Sequence, residues 1–153
     1  MESAAGEETP LRPWLLGWLG LPVLGIANGA IRDATYKRAV TELTGHQVST
    51  ATLLILMTAY MRALNRQWPL HSSRTAYTIG GVWAALTITF EFGFGHYVTK
   101  DPWSAPLNAY NITRGQVWAA VPIWTLLGPE IIRRSHAPPG RAHGVKGRLA
   151  GFT

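Results

Sequence analysis

Residues 14–31 read WLLGWLGLPVLGIANGAI, a run without a single charged side chain. A helix needs about 20 predominantly apolar residues to cross a bilayer, so this run predicts a membrane-spanning helix. Pro22 lies inside it and is expected to kink it, since proline has no N–H to give the preceding turn. Gly25 and Gly29 form a G-x-x-x-G pair. Such a pair lets another helix backbone approach closely, although glycine is also common in membrane helices generally. The run is not expected to be a cleaved leader. The residues before it carry Glu2, Glu7 and Glu8 against Arg12, whereas a secretory leader begins basic.

Three further apolar segments follow. The second, 48–64, centres on Leu53 to Met57, is closed by Arg62 and Arg66 and is broken by Trp68-Pro69. The third, 75–97, carries Gly80-Gly81, Trp83 and the aromatic run Phe90 to Phe94. The fourth, 114–132, has Pro122 as an expected kink and Arg133-Arg134 as its stop. The predicted fold is therefore all-α, an integral membrane bundle of four transmembrane helices at 14–31, 48–64, 75–97 and 114–132. Residues 1–13 and 135–153 are expected to be disordered tails around a membrane domain at 14–134. The polar connection 32–47 has the composition of an interfacial helix in part. No segment alternates with period two, which argues against a β-barrel.

Composition agrees. Charged residues are 14% of the 153, against about 25% in soluble proteins. The net charge of +6 comes from basic residues flanking the apolar segments rather than from a basic recognition face, so nucleic acid is not an expected partner. There is no cysteine, which excludes disulfides, thiolate metal sites, cysteine nucleophiles and a cysteine-linked lipid anchor. With four spans, Arg12, Arg62, Arg66, Arg74, Arg133, Arg134, Arg141, Lys146 and Arg148 fall on the side of the termini. Arg32, Lys37, Arg38, Lys100 and Arg114 fall on the other. The excess places both termini in the cytoplasm.

This topology gathers polar residues at the outer end. Asn28, Arg32 and Tyr36 share one helix face at i, i+4, i+8. Glu91 and His96 end the third segment, Arg114 and Trp118 start the fourth, and Asp101, Tyr110 and Asn111 lie in the loop between. Glu91 is about two helical turns inside its span. An ionised carboxylate there is costly, so it should face inward and pair or take up a proton. Arg32 and Arg114 are the expected partners, since guanidinium matches carboxylate bidentately. Asn28, Arg32, Glu91, His96, Asn111 and Arg114 are thus the candidate binding residues. Three readings stay open: a Glu–Arg pair that only fixes helix register, a ligand site, or a contact to another protein. The five-residue spacings between Glu91, His96 and Asp101 do not suit helical metal ligation, so no metal or other cofactor is expected. Phe90, Phe92 and Phe94 are expected to spread around the helix rather than form a box.

Asn28-Gly29 with Arg32, the stretch Phe90-Glu91-Phe92-Gly93-Phe94-Gly95-His96-Tyr97, and Tyr110-Asn111 with Gly115 and Trp118 together resemble a group of small bacterial membrane proteins with about four spans. The resemblance covers Trp14 to Arg133. It implies a multi-pass protein of a bacterial plasma membrane and brings no activity with it. Ala109 stands here where that group is expected to carry an acidic residue.

No nucleophile elbow, HExxH or phosphate loop is present. The primary expectation is a non-enzymatic bundle that binds a small solute or lipid or supports a membrane complex. Four spans leave little room for a transport path within one chain, so transport would require a homo-oligomer. The alternative is an intramembrane enzyme acting on a lipid or lipid-linked group, with Glu91 and His96 as an acid–base pair.

Overall fold

The structure is a computed structural model describing residues 11–136. The expected tails lie outside the described residues, apart from 11–13 and 135–136, which are already helical. Every regular element among the described residues is a helix. The apolar run at 14–31 is split between α1 (Leu11–Gly17) and α2 (Gly20–Thr35). Pro22 has no N–H for the Trp18 carbonyl, which accepts from Leu21 N–H at 2.9 Å instead. The expected kink is therefore present, one turn before the proline.

α3 (Glu42–Gln67) starts earlier than its apolar segment, because Thr41 caps it by accepting Thr44 N–H on Oγ1 at 3.2 Å. Residues 42–47 of the expected connection thus belong to a long helix. α4 (Ser73–Tyr97) matches its expected span closely. Between α4 and the last long helix lie α5 (Ser104–Ala109) and a 3₁₀ turn, Ile112–Arg114.

The fourth span expected at 114–132 is displaced. α6 runs Ala120–His136. Gly115, at φ 77°, adopts a left-handed conformation that ends the 3₁₀ turn and delays the helix. Pro122 sits in the first turn of α6, where its missing N–H is no loss, and makes no kink. Pro129 is the interior proline. Arg133 and Arg134 do not stop the helix. They reach back to Glu130 at i, i+3 and i, i+4, the spacing that supports a last turn, and their charge suits a helix C-terminus.

The long helices close a ring. α2 packs on α3, α3 on α6, α6 on α4, and α4 on α1. The α4–α6 seam is the most extensive. It closes at Gly80, where a Cβ would stand 2.0 Å from the Leu126 carbonyl oxygen. Trp14 locks the first segment in. It is fully buried, its indole N–H donates to the Trp68 carbonyl at 2.9 Å, and its own carbonyl accepts Trp83 Nε1 at 2.9 Å.

Large apolar side chains point outward: Leu16, Val23, Ile31, Ile55 and Ile123 are all at least half exposed. Asn28, Ser49, Asn65, Thr125 and Glu130 are buried. Among the described residues, one helical stretch, Leu11–Thr35, is long and apolar enough on length and composition to cross a membrane, and only 22% of its apolar window is buried inside the fold. The other long helices are diluted by Thr, Ser, Gly and Arg, and α6 is shorter, at 17 residues.

Candidate functional site

The inward stripe of α4 runs Ala76, Ile79, Trp83, Thr87, stepping three or four residues at a time. The same step brings Glu91 and Phe94 to the interior. Opposite them, the turn between α1 and α2 meets α4 at Trp18. Its indole N–H donates to Thr87 Oγ1 at 3.1 Å and its ring stands edge-on to Phe90 at 6.2 Å. Beyond that point the helices part. A Cβ on Gly25 or Gly29 would meet nothing within 4 Å. Among the described residues, the G-x-x-x-G pair therefore seats no other helix. The close approaches are at Gly17, Gly20, Gly80 and Gly128.

The space left is a cavity of about 380 Å³. α2 supplies Leu21, Pro22, Gly25 and Ile26 to its wall, α3 supplies Leu53 and Met57, and α6 supplies Val121 and Thr125. Aromatic rings surround the rest. Phe90 and Phe94, one helical turn apart, stack at 5.2 Å, with Trp18 beyond Phe90 and Trp118 on a further wall. This corrects the expectation that the phenylalanines disperse. Alternation of 90, 92 and 94 hid an i, i+4 pair. Pro106 of α5 covers the end. Lys100, at φ 63°, turns the chain back so that Asp101 N–H donates to the Gly95 carbonyl at 2.9 Å and Asp101 joins the lining. No Lys, Arg or His lines the cavity among the described residues.

Glu91 stands in this wall. Its Oε2 accepts the Tyr110 hydroxyl proton, and the Trp118 indole is placed to donate to the same carboxylate. Neither expected guanidinium reaches it. Arg32 donates to Asp33 Oδ1 at 2.9 Å and lies 3.3 Å from His46 Nδ1, while Arg114 is exposed, with no side-chain partner among the described residues. The register pair was a sound expectation for two charges at one depth, but α2 turns Arg32 toward α3 instead. Burial, then the neighbouring Glu91, raise the Tyr110 hydroxyl above its ordinary range, so it remains a donor.

The other candidates lie toward the same end without forming one cluster. Asn28 is buried in the α2–α3 seam, donating to Ser49 at its carbonyl (2.9 Å) and its hydroxyl (2.7 Å). His96 Nδ1 lies 3.1 Å from the Asp101 carbonyl, and its ring stacks on Trp103 at 4.0 Å. Asn111 Oδ1 accepts from Thr113 at 2.5 Å. Of the six, only Glu91 lines the cavity. No hydrogen bond joins Glu91 to His96, so the acid–base pair has no contact to support it.

A second interior carboxylate escaped sequence reading. Glu130 is 2% exposed. It takes Arg133 Nε at 2.7 Å and Nη2 at 2.9 Å, Arg134 Nε at 2.5 Å and the Ser73 hydroxyl at 3.0 Å. Its signal in the sequence is the i, i+3, i+4 spacing to two arginines that also mark the end of the apolar segment.

No protein-family model, curated protein or solved structure matches the chain. A cavity of this size falls within the range of small-molecule sites, roughly 300–1,000 Å³. Its largely apolar wall, with carboxylates at Glu91 and Asp101, suits a molecule that is greasy along most of its length and polar at one end.

Proposed function

We propose that this chain is a multi-pass integral protein of a bacterial plasma membrane, that its four long helices cross the bilayer with both termini cytoplasmic, and that its cavity binds a small lipid or lipophilic solute without catalysis. The observation that carries the binding reading is the apolar, aromatic cavity with Glu91, which accepts from Tyr110, set in the wall. The spanning reading draws on the distribution of polarity: large Leu, Ile and Val side chains are exposed on the outside of the helices, while Asn28, Ser49, Asn65 and Glu130 are buried. That is the arrangement hydrocarbon requires. Helix length supports it too. α3 with 26 residues and α4 with 25 are each about 38 Å long, beyond a hydrocarbon core of about 30 Å. The resemblance to small bacterial membrane proteins accords with this placement.

Two measurements test the reading. The chain has no cysteine, so single cysteines at Ser72 and Asn108 can be probed with a membrane-impermeant maleimide in intact cells. Labelling at Asn108 alone is expected, and labelling of both or neither site refutes the topology. Native mass spectrometry of gently extracted wild type beside Glu91→Gln tests the site. A bound small molecule that the folded variant loses is expected. Identical spectra, or a co-purifying protein bound equally to both, would sink the binding reading in favour of a structural role.

A further inference from the structure

Of the two interior carboxylates, Glu130 is paired with arginine, whereas Glu91 has no cationic partner among the described residues. A carboxylate accepts at about four sites, and Glu91 is offered only neutral donors, the Tyr110 hydroxyl and the Trp118 indole. Burial without a cation is costly for an ionised carboxylate. The chain shows that it can supply guanidinium when needed, because Glu130 has two. Among the described residues it supplies none at Glu91, and the one other ionisable group in the cavity lining, Asp101, is also acidic. The remaining polar lining is uncharged threonine.

The rings complete the pattern. Trp18, Phe90 and Phe94 form a continuous aromatic wall, and Trp118 stands at the carboxylate itself. Aromatic faces carry negative potential and attract cations, most strongly where water is excluded. A pocket combining several such faces with carboxylates and no basic group repels anions and has no counter-charge to offer them.

We infer that the cavity selects a lipophilic organic cation, an ammonium- or phosphonium-type centre held beside Glu91 and caged by Trp18, Phe90, Phe94 and Trp118, with its apolar body along Leu53 and Val121. This rests on the cavity being a ligand site, as proposed above, and adds the sign of the ligand's charge.

The test uses the full chain in non-ionic detergent. Equilibrium dialysis is run with two cations of different bulk, benzyltrimethylammonium and tetraphenylphosphonium, and with tetraphenylborate, which has the phosphonium's shape and the opposite charge. Saturable binding of at least one cation and none of the borate is expected. Glu91→Gln should weaken cation binding by about ten-fold or more, as should Trp118→Ala. Gly25→Leu is the second variant, because it leaves the carboxylate intact and adds a side chain at the cavity wall where a Cβ meets nothing within 4 Å. It should keep the fold and lose the cation by a similar factor. The inference is overturned if tetraphenylborate binds as well as the phosphonium, or if folded Glu91→Gln and Gly25→Leu bind cations like wild type. It is also overturned if both cations fail while native mass spectra show a neutral or anionic lipid lost in Glu91→Gln. In that last case the cavity reading survives and only the charge is wrong. If nothing binds and nothing co-purifies, both fall.

Discussion

At the end of the bundle near the 68–72 connection, Glu130 is wrapped by Arg133, Arg134 and Ser73, and the helices beside it touch through glycine. A Cβ would meet Leu64 at Gly17, Tyr60 at Gly20, the Leu126 carbonyl at Gly80 and Met61 at Gly128, all within 3 Å. At the opposite end, Glu91 has neutral donors only among the described residues, and Gly25, Gly29 and Gly93 border open space. One chain thus uses the same two residue types in opposite ways. At the closed end Gly17, Gly20, Gly80 and Gly128 serve cohesion, as does Glu130. At the open end they leave room and an unmatched charge. Burial of a carboxylate therefore does not by itself distinguish structure from function, but its partners do.

The contrast can be broken at several strengths. The largest effect is expected from Gly80→Leu, which drives a side chain into the backbone of α6. A cost above about 4 kcal/mol should leave little folded protein, read as loss of a monodisperse peak in detergent. Next is Glu130→Gln, which strands a half-buried Arg133 and should cost about 3 kcal/mol. Glu91→Gln keeps an acceptor for Tyr110 and should cost no more than about 1 kcal/mol. Equal losses for the two glutamates in a denaturation series would erase the distinction.

A subtler effect concerns pH at the open end. Arg32 can only donate, so its contact with His46 Nδ1 needs that nitrogen unprotonated. Burial, then the Arg32 charge, lower the His46 pKa from 6.5; Lys37 lowers it further, and Glu42 and Asp33 act the other way. With the folded value below the unfolded one, the unfolded state binds more protons between the two. The contribution is therefore complete above 6.5 and is lost as pH falls through the folded value. Hydrogen exchange across residues 36–46 should accelerate on acidification, and His46→Gln should remove that dependence. Smallest of all, Gly25→Ala and Gly29→Ala should be neutral or stabilise by up to about 1 kcal/mol, the ordinary helix preference. A clear loss would mean that something packs on this face.

The α4 boundaries were legible almost to the residue, whereas the uncharged run at 14–31 is split in two and the last helix starts six residues later than its run. Glu91 was legible as a lone acid in an apolar segment. What sequence could not show was direction. Arg32 lies at the expected end yet rotates toward His46, because the helical phase of α2 relative to α3 depends on packing around Asn28 and Ser49. The start of α6 depends on one left-handed glycine, which reads the same as any other until the chain is folded. Trp18 joined no motif at all. It reaches the cavity because Pro22 frees its carbonyl and the chain turns there.

The length of α6 has a consequence for the surrounding lipid. Its 17 residues measure about 26 Å, a few Å less than a typical hydrocarbon core. If the chain spans as proposed, the leaflet beside residues 115–119 must thin to meet it, or those residues must sit below the headgroups. Either adjustment costs fractions of a kcal/mol per Å of mismatch. Such a protein would settle in thin or compressible regions of a membrane and would deform the bilayer unevenly around its circumference.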